Sequence, residues 1–229
     1  MVADIATYIG DEKDNNESGS YMTMYGYDGN DQLSSTLTAA GFGKIYGGDD
    51  NDTLAYYGMG QVKQIGGNGN DWAAGGAYDD VLNGGNGKDF LQGFDGNDKL
   101  KGGKGGDWLF GGLGLDWMKG GKGKDHYGFN TTPDSKTNVD MIVDFNVKQD
   151  YLHFNHNVFM AGFDGTMGEI KKKYFALGKG PKDGNDYFGY NEKNGYVWTD
   201  QNGSDPGGFD KVAKLDAHLH LTFHNFMFD

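Results

Sequence analysis

The chain has 229 residues, enough for one or two domains, with 42 Gly, 3 Pro, no Cys and a formal net charge of −13. That much Gly exceeds an ordinary core and lacks the three-residue period of collagen, while 14% aromatic residues argue against disorder. The acidic balance argues against nucleic acid and anionic membrane surfaces as partners, no disulfide can staple the fold, and no apolar run reaches the ~18 residues of a transmembrane segment.

Residues 1–25 are expected to form an N-terminal cap. The opening Met-Val-Ala-Asp does not read as a signal peptide, which leaves retention, export without a cleaved leader, or a fragment of a longer protein. GDEKDN at 10–15 resembles a decayed turn with Asp14 one position early, and YMTMY at 21–25 is apolar and strand-like.

Residues 26–128 are a tandem repeat. From Gly66 seven nonapeptides run without a break: GGNGNDWAA, GGAYDDVLN, GGNGKDFLQ, GFDGNDKLK, GGKGGDWLF, GGLGLDWMK and GGKGKDHYG. Two more stand upstream, GYDGNDQLS at Gly26 and GGDDNDTLA at Gly47. The sixth position is Asp in all nine: Asp31, Asp52, Asp71, Asp80, Asp89, Asp98, Asp107, Asp116 and Asp125. Positions one to six read as a turn in which Gly permits positive φ and close approach of carbonyls. Positions seven to nine read as a short strand whose middle residue points inward. Those middle residues, Leu33, Leu54, Ala73, Leu82, Leu91, Leu100, Leu109, Met118 and Tyr127, are all apolar or aromatic.

Two nonapeptides complete one coil of a flattened solenoid, so the expected fold is all-β, a right-handed parallel β-roll of 18-residue coils. Equivalent turns then stack about 4.8 Å apart. One edge aligns Asp31, Asp52, Asp71, Asp89, Asp107 and Asp125, and the other aligns Asp80, Asp98 and Asp116. Upstream of Gly66 the repeats start 21 and 19 residues apart, so each coil there keeps one acidic turn and its second turn (39–44, 57–62) has none. Stacked carboxylates repel unless a cation lies between them. Carboxylates with turn carbonyls form an all-oxygen shell, which suits Ca²⁺ better than Mg²⁺ or a thiophilic metal. Expected carbonyl donors include Gly67, Gly69, Gly85, Gly87, Gly103 and Gly105 on the first edge, and Gly76 and Gly96 on the second. Consecutive pairs of turns give on the order of seven Ca²⁺, enough to offset the net charge. Tyr78, Phe94 and Asp50 stand where the pattern expects Gly.

The seventh position points outward. Trp72, Phe90 and Trp108 succeed one another there on one strand column, and Trp117 lies on the other. Exposed aromatic rows are covered or functional; the expectation is that the C-terminal segment packs on this one, with stacking on polysaccharide rings as the alternative.

In residues 129–229 Gly falls and aromatic residues rise. Residues 139–154 read as two strands flanking a turn, and 186–200 as a hairpin with NEKNG as its turn. DQNGSD at 200–205 is a candidate calcium loop, and 218–224 reads as a strand with His218, His220 and His224 on one face. His153 and His156 read as surface or packing residues.

The nonapeptide run resembles the RTX, or haemolysin-type, calcium-binding repeat GGxGxDxUx. The resemblance implies a Ca²⁺-binding parallel β-roll. The C-terminal region resembles the segment on the C-terminal side of such repeats in serralysin-type proteases, lipases and mannuronan epimerase modules, through its DF…D…L element, its YN…G…Y hairpin and the terminal Phe226-Met227-Phe228-Asp229. This implies a β-rich capping segment with an uncleaved signal for type I secretion machinery, and an extracellular destination. No HExxH, GxSxG or Cys nucleophile occurs, so no catalytic function is expected.

Overall fold

The computed structural model describes residues 7–20, 22–36, 41–159, 167–182, 184–200 and 208–229. Two long sheets face each other, one of twelve strands and one of ten, and through the repeats successive strands alternate between them. Strand pairing is parallel throughout the repeats, with Leu82 opposite Leu100, Leu100 opposite Met118, and Leu91 opposite Leu109. The molecule is therefore the parallel β-roll that the 18-residue period predicts.

The pairing continues beyond both ends of the repeats. The strand Thr7–Ile9 pairs in parallel with Thr23–Tyr27, and Asn16–Gly19 with Gln32–Ser35, so these residues form a first coil. At the other end Asp140–Ile142 and Tyr151–Phe154 add a coil whose 143–150 turn lies on the first edge. Phe226–Phe228 then pairs in parallel with Tyr151–Phe154 and carries the ten-stranded sheet one strand further. Asp210–Lys214 does the same for the twelve-stranded sheet, and the antiparallel hairpin Phe188–Tyr190 and Tyr196–Thr199 lies beyond it.

The core is two facing columns. One runs Met24, Ile45, Gln64, Leu82, Leu100, Met118 and Ile142, and the other Leu33, Leu54, Ala73, Leu91, Leu109, Tyr127, Leu152 and Phe226, none more than 1% exposed. Every inward residue expected from the repeat lies in them. Gln64 is the polar exception, and its Nε2 donates to the Ala74 carbonyl at 2.8 Å. A roll only two side chains thick has little apolar volume, so its backbone ladder and edges carry much of the burden.

The expected strand at 218–224 is not found. Residues 223–225 form a single 3₁₀ turn, closed by a Thr222–Asn225 capping box, and only Phe226–Phe228 is extended. The capping box supplies backbone partners locally, so the ladder is not needed there. Phe226 and Phe228 point into the core, so the terminal residues lengthen the ten-stranded sheet rather than cover it.

Second-position glycines along the first edge have φ between +108° and +134° at Gly48, Gly67, Gly85, Gly103 and Gly121. A Cβ on Gly103 would strike the Gly85 carbonyl of the preceding coil. Replacing Gly103 with Ala is expected to lower stability by more than ~1 kcal/mol, read as a reduced urea midpoint at saturating calcium.

Candidate metal centre

Each turn Asp is tied into its edge by one oxygen. The N–H of Asp31 donates to Oδ1 of Asp52 at 2.9 Å, Asp52 to Asp71 at 2.9 Å, Asp71 to Asp89 at 2.9 Å, Asp89 to Asp107 at 3.0 Å and Asp107 to Asp125 at 3.0 Å. On the second edge Asp80 donates to Asp98 at 2.7 Å and Asp98 to Asp116 at 2.8 Å, while Val62 supplies the N–H for Asp80 at 2.7 Å. The sequence period thus brings together the predicted carboxylates as two continuous rows.

The other oxygen is left without a partner. Oδ2 of Asp31, Asp52, Asp71, Asp80, Asp89, Asp98, Asp107 and Asp116 is buried and accepts no hydrogen bond. All nine turn aspartates are at most 2% exposed. A buried carboxylate oxygen with no donor forfeits its hydration and receives nothing back, at a cost of roughly several kcal/mol per ion. The space beside each Oδ2 is kept open by the first Gly of the same turn. A Cβ on Gly47, Gly66, Gly84 or Gly102 would collide with Oδ2 of the Asp five residues on, and would lie 2.7 Å from the first-Gly carbonyl of the next coil at Gly47, Gly66 and Gly102.

These features fit a hard cation: an unsatisfied anionic oxygen, adjacent carbonyls, and glycines that leave room. Among the described residues no three His, Cys, Asp or Glu side chains converge, so a cation here would rest on carboxylates and backbone carbonyls together. That donor set is oxygen only, as Ca²⁺ prefers.

Burial dominates the electrostatics. It pushes Asp98 up to about 8, Asp52, Asp71, Asp80 and Asp107 up to about 7, and Asp89 and Asp116 up to about 6, with hydrogen bonds from the stacked backbone opposing the rise. Asp125 is raised for the same reason.

The predicted carbonyl donors divide. Gly67, Gly69, Gly85, Gly87, Gly96, Gly103 and Gly105 all adopt positive φ between +123° and +133°. Gly76 does not. The first-position glycines, which border the orphaned oxygens, were not singled out from sequence; their invariance at position one was the available signal. Phe94 and Asp50 take φ of +80° and +75° at Gly positions, so both turns keep their shape at some strain.

Two further aspartates continue the rows past the last nonapeptide. Asp116 N–H donates to Asp140 Oδ1 at 3.2 Å and Asp125 N–H to Asp150 Oδ1 at 3.0 Å. Burial raises both, Asp150 to about 6. They lie 24 and 25 residues along, outside the 18-residue period, which is why the repeat does not reveal them. At the other end Asn15 donates its backbone N–H to Asp31 Oδ1 at 2.6 Å, taking the place of an Asp.

Outside the edges, Trp72, Phe90, Trp108 and Trp117 are half-buried. Phe110 lies across the column, 5.2 Å from Phe90 and 6.1 Å from Trp108, and Trp108 stacks on His126 at 4.3 Å. His153, expected to be a surface or packing residue, is buried, with Nε2 2.7 Å from His126 Nδ1 and Nδ1 on the Asp229 carboxylate. Burial lowers His126 to about 4. His220 and His224 approach Glu192 and Glu169 separately, so they form no common site with His218. Residues 201–205 of the candidate DQNGSD loop lie outside the described residues; Asp200 is buried.

The model of the RTX calcium-binding nonapeptide repeat matches residues 41–56, 65–93 and 92–127. These turns are RTX calcium-binding repeats. The RTX segments include seven of the aspartates with an orphaned Oδ2, from Asp52 to Asp116, together with Asp125. Among solved structures, the chain is similar to the AlgE6R3 subunit of the mannuronan C5-epimerase of Azotobacter vinelandii, at 26% identity and a TM-score of 0.45, over 66% of this chain and 78% of that one. No curated protein matches it. Among the described residues no helix is long and apolar enough to cross a membrane.

The raised carboxylates set the pH response. Their folded values of about 6–8 exceed the ~3.9 of an unfolded Asp, so the metal-free roll is most stable below about pH 4 and loses that stability as pH rises through the 6–8 window. Calcium needs the ionised form. Circular dichroism of chelator-treated protein should therefore show β signal lost with rising pH, and the calcium midpoint should be lower at about pH 8 than at about pH 5.5.

Proposed function

We propose that this chain is a non-catalytic calcium-responsive module that folds on binding about seven Ca²⁺ outside the cell. The eight orphaned, buried Oδ2 atoms carry the reading. Without cations the two rows are a stack of desolvated anions; with them the rows become a cross-link along each edge. The aspartates of adjacent turns and the first-, second- and fourth-position carbonyls would hold the ions, which supply charge neutralisation and folding free energy. At free calcium 100 times the dissociation constant, each site adds roughly 2.7 kcal/mol.

In this reading the chain stays unfolded where calcium is scarce and is exported by type I secretion machinery as part of a larger protein. Burial of Phe226 and Phe228 in the folded sheet supports that order of events, since a terminal export signal would be legible only before folding. The role is assistance to secretion and extracellular folding, and it requires no catalytic group.

A calcium titration monitored by circular dichroism tests this. A cooperative gain of β signal is expected, with loss on chelation and a stoichiometry near seven by calorimetry. Asp89→Asn should keep the Oδ1 hydrogen bond yet weaken calcium binding at both neighbouring gaps. An unchanged melting temperature in chelator would defeat the proposal.

A second reading, binding of an acidic polysaccharide, is favoured by a groove of about 400 Å³ on the twelve-stranded sheet, lined by Lys101, Lys104, Lys119 and Lys122 over Gly103 and Gly121. Lys99 lies over the Trp117 ring beside it, at 4.9 Å. Sugar stacking on Trp72, Phe90 and Trp108 would use the opposite sheet instead. Loss of binding to a uronic-acid polymer in Lys101→Glu with Lys119→Glu would assign the groove, and loss in Trp72→Ala with Trp108→Ala the aromatic column.

A further inference from the structure

The two edges of the roll differ in more than their carboxylates. On the first edge the solvent-facing turn positions from Asp49 to Lys124 are Asp, Asn, Lys and Gly only. On the second edge the equivalent positions carry Tyr57, Met59, Tyr78, Phe94, Leu113 and Leu115, exposed by 69%, 56%, 42%, 43%, 47% and 51%. Phe42, at 40%, extends the row at one end. These seven make up most of the exposed large apolar side chains among the described residues, and they lie on consecutive coils.

Ordinary surface exposure scatters such residues singly; a continuous row marks a contact. None of them serves the roll's own interior. Phe94 makes the point most sharply. It occupies a turn position that favours Gly, at φ +80°, and presents its ring to solvent. Tyr27 does the same on the first edge, at φ +80° and 50% exposed, so the contact is marked by the continuous row and not by strain alone.

We propose that the second edge is the interface with a second copy of this chain, packed antiparallel about a two-fold axis near Tyr78 and Phe94. Three observations favour that occupant. The ridge repeats at the coil spacing of about 4.8 Å, and a second roll has the same spacing, so side chains of one ridge fall between rungs of the other at every coil. The ridge exposes apolar side chains on each of these coils, with Asp79, Asp95 and Asn97 exposed among them, and a two-fold sets the apolar row against itself. With aromatic side chains of ~150–250 Å² and smaller Leu and Met, each roughly half exposed, it offers on the order of 600 Å² per partner, the low end of specific interfaces. The acidic Asp79 on this edge is turned along the chain, accepting from the Asn97 N–H at 2.7 Å and its Nδ2 at 3.2 Å.

Sedimentation equilibrium in excess calcium, over about 1–100 µM chain, tests the assignment. The unaltered protein should sediment at twice the chain mass, and Leu113→Lys with Leu115→Lys should weaken association more than about tenfold. Asn86→Lys on the first edge, a position where Lys104 and Lys122 already occur one and two coils on, should leave it unchanged. The chain has no Cys, so Tyr78→Cys alone should form a disulfide-linked dimer under mild oxidation while Asn68→Cys does not; this reading stands even where the double lysine variant fails to fold. A monomer at every concentration, association indifferent to the Leu113 and Leu115 changes, or equal cross-linking from both edges would overturn the proposal.

Discussion

The roll depends on what becomes of one oxygen atom per turn. Each turn Asp is held in place by its Oδ1, which accepts the N–H of the coil before it, and this hydrogen bond forces the carboxylate inward. Its Oδ2 is then sealed against glycine backbone with no donor in reach. The pairing that gives the stack its register therefore creates the charge that the stack cannot tolerate unaided. Protonation or a divalent cation are the two remedies. The first operates at low pH, where the raised carboxylates take up protons; the second operates at neutral pH and joins adjacent coils.

Because every coil touches only its neighbours, the consequences are local and additive along the axis. The core is a single file of side chains in each sheet, and the glycines at positions one and two are held by contact with the following and the preceding coil respectively, rather than by conformational preference alone. A fault in one turn weakens two gaps. Each Asp borders the gap on either side of it, through its own N–H and its Oδ1. The non-repeating coil built on Asp140 and Asp150 ends both rows with further buried carboxylates, and Asn15 begins the first row without a charge.

The fold consumes the first, sixth and eighth positions of the repeat and leaves the rest to the surface. The same periodicity that stacks carboxylates also stacks whatever stands elsewhere. Lysines at the ninth position of one sheet become a groove wall, aromatic residues at the seventh position of the other become a column, and apolar residues at the second to fifth positions of the second edge become a ridge. Each is a linear array with the coil spacing, and each suits a partner that is itself extended or periodic.

The nonapeptide period was sufficient by itself to determine the parallel roll, its inward column and the identity of nine edge aspartates, because a solenoid places residues by counting. It did not reveal Asp140 and Asp150, which enter the rows through longer turns, nor the closing role of Phe226 and Phe228, which pair with a strand more than seventy residues earlier. Alternation of apolar residues, a separate signal, misassigned 218–224, where a local capping box satisfies the backbone without a ladder. That the last strand pairs beside the aromatic column, and that one edge exposes apolar side chains over five coils, depended on how the coils close in three dimensions. Periodic contacts are encoded at fixed separations and can be read along the chain; the contacts that end a stack join distant, unrepeated segments, and only the folded backbone decides which of them meet.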